Sequence, residues 1–289
     1  MDGSLTGLSA VMIVRDAERH LADALSALAG VVDETVVVDT GSSDGTVAIA
    51  RRFGCRVFSF PWCDDFSRAK NFAVEQARCR WILSVDADEV LETDGAARVL
   101  AEAMADEAVP AYLVYQDNLY DDGSVKPNPV LRLFRNDPRI RFVNPVHECI
   151  SGTLFSSWPG LTLKTLDIHL RHLGYLGASL RGKAERNLVI LERWVAAEPG
   201  HIFANFKLGG QLFDLGRTAE ALRYLERVFA LFSDPRYRRV YPFLPTFIVV
   251  YHRALLAVGD EAQARAFERV AAEWLEERET FAKPGRKVR

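Results

Sequence analysis

Two carboxylates follow a buried-looking apolar run in the first third of the chain. The run covers residues 81–85, and the acids are Asp86 and Asp88, separated by Ala87. An apolar run that leads into acids is typical of a parallel strand whose carboxyl end faces a ligand. Carboxylates two residues apart can approach one hard cation, which prefers oxygen ligands and bridges them to phosphate oxygens. The spacing favours binding of a metal and a diphosphate, although the same short motif also occurs in solvated surface loops.

Three similar units precede these acids. Apolar runs at residues 8–14, 35–38 and 56–60 each lead into polar residues, and each is followed by a helical pattern. This alternation predicts an α/β protein with a doubly wound, mainly parallel sheet. Right-handed crossovers put the carboxyl ends of such strands at one edge, so we expect the acids that follow them to converge. These acids are Asp16, Asp39, Asp86 and Asp88.

Four ordered sequence blocks, at residues 14–18, 37–46, 65–71 and 82–89, resemble family 2 glycosyltransferases of the GT-A fold. More narrowly, they are similar to a bacterial branch in which the transferase domain precedes tetratricopeptide-like helices and which includes peptide S- and O-glycosyltransferases. The resemblance implies a nucleotide-sugar donor, in particular a UDP-sugar, a divalent metal such as Mn²⁺ or Mg²⁺, and a peptide or glycan acceptor. The first block departs from the usual Lys-Asn-Glu-Glu, because this chain has Arg-Asp-Ala-Glu there.

The resemblance assigns donor contacts to the strand ends and to one helix. Asp39 is expected to accept hydrogen bonds from the uracil or ribose, as an acid after a dinucleotide-fold strand does. A helix cap is the alternative for Asp39, but Ser42, Ser43 and Asp44 are better placed for it. Arg68 contacts the diphosphate or lies on a solvated helix face. The expected donor contacts are Val14, Arg15, Asp16, Glu18, Asp39, Arg68, Asn71, Asp86, Ala87 and Asp88.

The resemblance also implies the metal ligands. Asp86, Asp88 and His172 are expected to hold the cation, with Asp86 bridging to the sugar or to the metal. His172 follows an alternating strand pattern, whereas His169 within that pattern is expected to be structural. A neutral imidazole suits manganese better than magnesium alone. A cation at this position would act as a Lewis acid that neutralises the leaving diphosphate.

Family 2 enzymes invert the anomeric centre, which implies a carboxylate that takes the acceptor proton from the opposite face. Glu148 is the expected base, and Asp86 and His147 complete the expected catalytic set. A helix-opening acid is the alternative for Glu148. His147 either orients Glu148, contacts the acceptor or is simply packed. Glu89 is the next carboxylate to consider as the base.

From residue 179 onward the composition shifts to Ala, Leu, Arg and Glu with helical periodicity. We therefore expect a transferase domain at 1–178 and an α-helical, tetratricopeptide-like module at 179–289. Helix pairs of this kind leave a groove that binds peptide or mediates self-association, so a second copy of the chain is a candidate partner. A helical buttress for the transferase domain is the alternative. The residues on tetratricopeptide positions are Leu208, Gly209, Leu212, Gly216, Ala221 and Leu225.

Composition and net charge limit the partners and the cellular compartment that we expect for this protein. The 289 residues carry a net charge of −3, which gives no general attraction to nucleic acid or to anionic membranes. The sequence has no secretory signal pattern and no apolar run long enough to span a membrane. Its four cysteines have no metal-ligand spacing, which is typical of free thiols in a reducing compartment. We therefore expect a cytoplasmic enzyme with no nucleic-acid partner and no integral membrane segment.

A scaffold with a decayed transferase domain and a helical interaction module is the alternative to an enzyme. The retained acids favour the enzyme, because converging carboxylates repel one another when no metal is present.

Overall fold

The computed structural model describes residues 7–174 and 180–282. The chain divides into two compact units, Met1–Ser179 and Leu180–Arg289. The domain boundary expected between residues 178 and 179 falls outside the described residues. The first unit is α/β and the second is helical, so the predicted fold class is confirmed.

The first unit is built on an eight-stranded sheet. Its strands are β1 Leu8–Val14, β2 Glu34–Asp39, β3 Arg56–Ser59, β4 Trp81–Ser84, β5 Glu89–Leu91, β6 Ala111–Leu119, β7 Val125–Arg135 and β8 Thr165–His172. Its helices are α1 Leu21–Leu28, α2 Thr46–Arg52, α3 Phe66–Gln76, α4 Ala96–Met104 and α5 Ser151–Ser157. The strand order is β3-β2-β1-β4-β7-β6-β8-β5.

The first four strands in sequence form the parallel half of this sheet. β1 pairs with β2 and β4, and β2 pairs with β3, all in parallel. The strands read as continuous apolar runs because the sheet is covered on both faces, and β1, β2 and β4 are almost fully buried. Val14 at the end of β1 lies beside Asp39 at the end of β2, so the loops that follow these two strands begin at the same edge of the sheet.

The second half of the sheet is mixed, so four of the seven strand pairs in the whole sheet are parallel. β7 pairs antiparallel with β4 and β6, β8 runs parallel to β6, and β5 runs antiparallel to β8. Glu89 at the start of β5 lies opposite His172 at the end of β8. Because Glu89 directly follows Asp88, this register places Asp88 near His172 at the end of β8.

The second unit contains six helices among its described residues: α6 Leu180–Ala197, α7 Ile202–Asp214, α8 Thr218–Phe232, α9 Pro235–Val240, α10 Leu244–Ala257 and α11 Glu261–Ala282. α7 and α8 approach closely at Gly209, where a Cβ atom would lie 2.7 Å from Cγ of Leu225 and 3.3 Å from the carbonyl oxygen of Ala221. These residues hold the tetratricopeptide positions that the sequence indicates. Aromatic side chains fill the interior between α8, α10 and α11.

No helix in the described residues is long and apolar enough to cross a membrane. All four cysteines are free thiols, as their spacing predicts.

Candidate functional site

The Asp-x-Asp turn lies between β4 and β5 and is held by backbone hydrogen bonds on both sides. The amide of Glu89 donates to the carbonyl oxygen of Asp86 over 3.0 Å, which closes the turn. The amide of Leu173, just after β8, donates to the carbonyl oxygen of Asp88 over 2.8 Å. The two acids therefore have fixed backbone positions, one on each side of the turn.

The carboxylate of Asp86 contacts two cationic side chains. Nη2 of Arg132 lies 2.6 Å from its Oδ2, and Nζ of Lys70 lies 3.1 Å from its Oδ1. Burial alone would raise the pKa of Asp86, but the charges of Arg132 and then Lys70 outweigh burial and lower it. Asp86 is therefore ionised, and both of its oxygens already have positive partners within the protein.

Glu89 is part of the same network but is completely buried. Its carboxylate accepts from Arg132 over 2.7 Å, from the backbone amide of Asp86 over 2.8 Å and from the amide of Gln116. Burial is the largest influence on its pKa and raises it, with Arg132 acting in the opposite direction. Because its side chain is 0% exposed, Glu89 is poorly placed to take a proton from an acceptor, and the expectation that it could replace Glu148 as the base is not supported.

Lys70 joins Asp86 to Glu148. Nζ of Lys70 lies 2.8 Å from Oε1 of Glu148, and their side chains are only 7% and 15% exposed. Burial would lower the pKa of Lys70, but the charges of Asp86 and Glu148 outweigh it and raise the pKa. The lysine is therefore a permanent cation shared by the first acid of the motif and the predicted base.

Glu148 and His147 lie on a closed loop between residues 143 and 149. Val143 and Cys149 exchange two backbone hydrogen bonds of 3.0 and 3.2 Å at its base. The backbone angle φ is positive at Asn144, at 77°, and at His147, at 56°. Both values lie in the left-handed region, which residues other than glycine uncommonly adopt. Such strain is common at functional sites. Within the loop the exposed His147 stands next to the largely buried Glu148.

Asp88 lies beside His172, and both are among the residues that the family resemblance implies as metal ligands. Oδ2 of Asp88 is 3.5 Å from Nε2 of His172, and Nδ1 of His172 is 2.8 Å from Oδ1 of Asn118. An amide oxygen only accepts, so Nδ1 carries a proton and donates to Asn118. With Nδ1 as the donor, Nε2 is the ring nitrogen that faces Asp88, and second contacts orient a metal-ligating histidine in this way.

The donor set fits a divalent cation only in part. Asp88 and His172 supply one carboxylate and one imidazole at a spacing that one ion could bridge. Asp86 does not join them in one group in the described residues, and its two oxygens are paired with Lys70 and Arg132. Within residues 7–174 and 180–282 no group of three ligating side chains is assembled. Of the three residues expected to hold the cation, the structure therefore brings Asp88 and His172 together, and Asp86 is paired with Lys70 and Arg132.

The loops after β1 and β2 are tied together by acids of the first and second blocks. Asp16, with φ of 47°, accepts from the amide and the hydroxyl of Ser43 over 2.7 and 3.1 Å. Glu18 accepts from the amide of Gly45 over 2.8 Å. The carbonyl of Val14 accepts from both the amide and the hydroxyl of Thr40, and Arg15 is exposed. These residues shape the edge of the parallel half, which is the expected position of the nucleotide.

Asp39 is largely buried at the end of β2. Its carboxylate accepts from the amide of Gly41 over 3.2 Å and from the amide of Ser42 over 3.1 Å. The N-cap of α2 is Gly45, and Asp44, one residue before it, accepts from the amide of Thr46 over 2.9 Å, so Asp44 contacts the start of α2 without being its cap residue. Asp39 therefore organises the loop that follows its strand and is not the cap of α2.

The two predicted donor contacts on α3 have different surroundings. The side chain of Arg68 is exposed, and its backbone amide donates to Oδ1 of the helix cap Asp65 over 3.0 Å. Asn71 uses its amide to bind both backbone groups of Phe142, over 2.9 and 2.8 Å. Asn71 thus joins α3 to the segment that leads to Glu148, and a structural role replaces the expected donor contact.

His169 has the structural surroundings expected for it. Nδ1 lies 2.7 Å from Asp117, and the imidazole stacks on Tyr115 with ring centroids 4.9 Å apart. Burial lowers the pKa of His169, but the hydrogen bond to Asp117, the charge of Asp117 and the hydrogen bond to Asp167 together outweigh burial and raise it.

A sequence profile covers most of the α/β unit and identifies its family. The profile described as glycosyl transferase family 2 matches residues 9–156, from β1 through the loop that carries Glu148. The chain belongs to glycosyl transferase family 2. Two curated relatives of this family 2 chain extend into its helical unit. A TPR repeat-containing protein of Synechococcus elongatus is 35% identical over 240 residues, which is 78% of this chain and 57% of the relative.

The other relative is the SPbeta prophage-derived glycosyltransferase SunS of Bacillus subtilis, 28% identical over 246 residues, which is 78% of this chain and 54% of SunS. The family 2 chain spans about half the length of the curated relatives it matches. Among solved structures, S. aureus TarS 1-349 in complex with UDP-GlcNAc has a TM-score of 0.51 and 15% identity, covering 92% of this chain and 91% of that one. This likeness supports the GT-A fold.

Two members of the charged network do not appear among the predicted site residues. Lys70 stands on the buried face of α3 with Ala69, Ala73 and Val74, and a lysine in such a stripe needs a charged partner. A lysine at this position of an apolar helical stripe can be recognised from the sequence alone. Arg132 lies on β7, which the sequence pattern does not reveal, so its position follows only from the pairing of β7 with β4.

Proposed function

We propose that this family 2 chain transfers a sugar from a UDP-sugar to a peptide or cell-envelope glycan, with inversion at the anomeric carbon and with a divalent cation at the diphosphate. The observation that carries the proposal is the ion-pair network at the end of β4. It places the buried pair of Lys70 and Glu148 against Asp86, two residues from Asp88. The carboxylate that we assign to the acceptor would thus act beside the turn that we assign to the donor phosphates.

The nucleotide end of the donor is assigned to the loops after β1 and β2. A carboxylate offers about four acceptor sites, and the hydrogen bonds from Gly41 and Ser42 leave Asp39 with capacity for a ribose hydroxyl or a uracil N–H. The same fold holds UDP-GlcNAc in TarS, and this supports a UDP-sugar for the present chain. Arg15 and Arg68 are both exposed and would meet the diphosphate as mobile cations.

The diphosphate and its cation are assigned to Asp88 and His172. A bound divalent cation would supply Lewis-acid neutralisation of the leaving group at this position. The contribution of the chain is to hold the two ligands, because Leu173 fixes the backbone of Asp88 and Asn118 orients the imidazole. Asp86 is kept ionised by Lys70 and Arg132, and it would accept hydrogen bonds from sugar hydroxyls at the edge of this site.

Glu148 is assigned as the base. An attacking hydroxyl or thiol gives up its proton as it bonds to the anomeric carbon, and a carboxylate within hydrogen-bond reach takes that proton. The loop closed by Val143 and Cys149 holds Glu148 beside Lys70, and His147 is exposed next to it toward an incoming acceptor. The acceptor classes we propose are those of the bacterial branch that the sequence resembles.

The test is a panel of UDP-sugars, together with GDP- and TDP-sugars as controls, incubated with the protein and Mn²⁺. Release of the nucleoside diphosphate is measured with water as the acceptor, then with Cys-, Ser- and Thr-containing peptides and with envelope glycans. We expect one UDP-sugar to be consumed in a Mn²⁺-dependent manner and to be consumed faster with the true acceptor. A protein that neither binds UDP with Mn²⁺ nor consumes any donor would instead be the non-catalytic scaffold.

A further inference from the structure

The helix α3 contacts the segment from Phe142 to Glu148 at successive turns. At the first turn, the amide of Phe66 donates to the carbonyl oxygen of Pro145 over 2.8 Å. One turn further on, Lys70 pairs with Glu148. The next residue, Asn71, binds both backbone groups of Phe142. The segment therefore has its position set by one rigid element along most of its length.

Lys70 differs from the other contacts because it also reaches the donor side. The backbone bonds of Phe66 and Asn71 fix the path of the segment, whereas Lys70, alone among these three contacts from α3, forms ion pairs with the carboxylates of both Glu148 and Asp86. Its ammonium is almost entirely buried and lies 5.4 Å from the ring centroid of Phe142. A buried cation between two acids has few alternative positions, so both carboxylates are held relative to α3.

We infer that Lys70 is the positioning residue of the transfer step, holding Glu148 at a fixed place relative to Asp86. This inference rests on the proposed function. A positioned base accelerates proton transfer only if it is within reach of the attacking atom, and misplacement by about 1 Å costs about a hundredfold in rate. Binding of UDP and the cation is assigned to Asp39, Asp88 and His172, whereas Lys70 is paired with Asp86, which is assigned to the sugar. Loss of Lys70 therefore lowers the rate of transfer and leaves nucleotide affinity intact.

The variants for the test are Lys70→Met, which keeps the length of the side chain without its charge, and Lys70→Arg, which keeps the charge. Lys164→Met is the matched control, because Lys164 forms only an exposed pair with Asp106 at 3.7 Å. Turnover is measured as UDP release from the UDP-sugar that the wild-type protein consumes, and affinity is measured by calorimetry with UDP and Mn²⁺.

We expect Lys70→Met to lower kcat about a hundredfold and to keep the Kd for UDP within about twofold. Lys70→Arg should recover at least about tenfold of that loss, since charge and contact are restored. Lys164→Met should match the wild type. Wild-type kcat in Lys70→Met would overturn the inference, and so would a loss of UDP affinity as large as the loss of turnover, which would make Lys70 a donor-binding residue.

A double variant separates positioning from a general packing role. If Lys70 acts through Glu148, then Lys70→Met combined with Glu148→Gln should be at most about threefold slower than Glu148→Gln alone. If the double variant instead lost kcat by the product of the two single-variant losses, the inference would be contradicted. Lys70→Arg, which keeps the buried charge, carries the test if Lys70→Met does not fold, and a Lys70→Arg kcat far below wild type with unchanged UDP affinity then supports the inference. A wild-type protein without UDP binding or turnover would remove the proposed function itself, whereas an active wild type with an equally active Lys70→Met removes only this inference.

Discussion

Lys70 and Glu148 form an ion pair in which Nζ and Oε1 are 2.8 Å apart, and the same Nζ lies 3.1 Å from Oδ1 of Asp86. One buried ammonium is thus shared by the acid that begins the Asp-x-Asp motif and by the acid on the strained loop before α5. The two acids belong to opposite ends of the expected reaction, the donor and the acceptor. Their shared cation links the two ends in the protein itself.

Arg132 is expected to be the largest single contributor to stability in this network. It neutralises Glu89, whose side chain is 0% exposed, and it also contacts Asp86. Because Arg132→Met leaves a buried carboxylate without its counter-charge, the free energy of unfolding should fall by about 3 to 5 kcal/mol. Urea denaturation measures the change. Arg98→Met removes an exposed pair within α4 and should cost about 0.5 kcal/mol or less. Equal, small losses in both variants would contradict the role of Arg132.

Glu34 should make the α/β unit sensitive to acid. Its carboxylate accepts from the hydroxyl of Ser9, the amide of Arg78 and the guanidinium of Arg56. Burial raises its pKa, but these bonds and the charge of Arg56 outweigh burial and lower the pKa below its ordinary value of 4.5. A lowered pKa contributes stability that is fully present above 4.5 and is lost as the pH falls through the folded-state value.

Glu34→Gln should therefore be less stable than the wild type at neutral pH and should lose less stability below pH 4.5. Denaturation curves at several pH values measure both effects. Glu75→Gln, at an exposed position of α3, serves as the control and should follow the wild type. If the free energies of unfolding of the wild type and of Glu34→Gln fall in parallel as the pH decreases below 4.5, Glu34 is not an acid-sensitive group.

Gly209 should be intolerant of a side chain, unlike its neighbour Gly210. A Cβ at Gly209 would lie 2.7 Å from Cγ of Leu225, whereas a Cβ at Gly210 would meet nothing within 4 Å. Gly209→Ala should therefore destabilise the helical unit by about 1 to 3 kcal/mol through overpacking. Gly210→Ala, in the same helix, should stabilise it by up to about 1 kcal/mol because alanine favours helix. Urea denaturation measures the free energy of unfolding of both variants. If Gly209→Ala were the more stable of the two, the packing of α7 against α8 would be contradicted.

Asp88 should determine whether the metal strengthens nucleotide binding. A ligand at a hundred times its Kd stabilises the folded protein by about 2.7 kcal/mol through mass action, so UDP with Mn²⁺ should raise the Tm of the wild type. Asp88→Asn should keep the fold and lose most of the Mn²⁺-dependent part of this increase. Asp122→Asn, at an exposed turn, is the control. A Tm increase in Asp88→Asn as large as in the wild type would remove Asp88 as a ligand.

The parallel half of the fold can be predicted from the sequence because its strands are buried on both faces and read as apolar runs. The β6–β7 hairpin cannot be predicted in the same way. The first part of β7 is exposed and contains Pro127 and Pro129, so no alternation appears there. Its buried end, at Leu133 and Phe134, is explained only by its pairing with β4. The position of β5 beside β8 likewise depends on tertiary pairing.

The candidate site is predictable to a similar extent. The neighbourhood of Asp88 and His172 follows from the motif, the strand pattern and the family resemblance. Lys70 can be found as a lysine in an apolar helical stripe. Arg132 lies on an unrecognised strand, and the use of Asn71 depends on the backbone of Phe142, 71 positions away in the chain. Such contacts between distant segments leave no periodic signal.

The most direct measurement compares binding and chemistry in Glu148→Gln. A base that only takes the acceptor proton is not needed to bind the donor, so this variant should keep the wild-type Kd for UDP and Mn²⁺ by calorimetry. Its kcat for transfer should fall by a factor of about a hundred to ten thousand. With a thiol acceptor the loss should be smaller and should shrink as the pH rises toward about 8.5, where the thiol ionises by itself. Wild-type transfer by Glu148→Gln at every pH would contradict the assignment of this site.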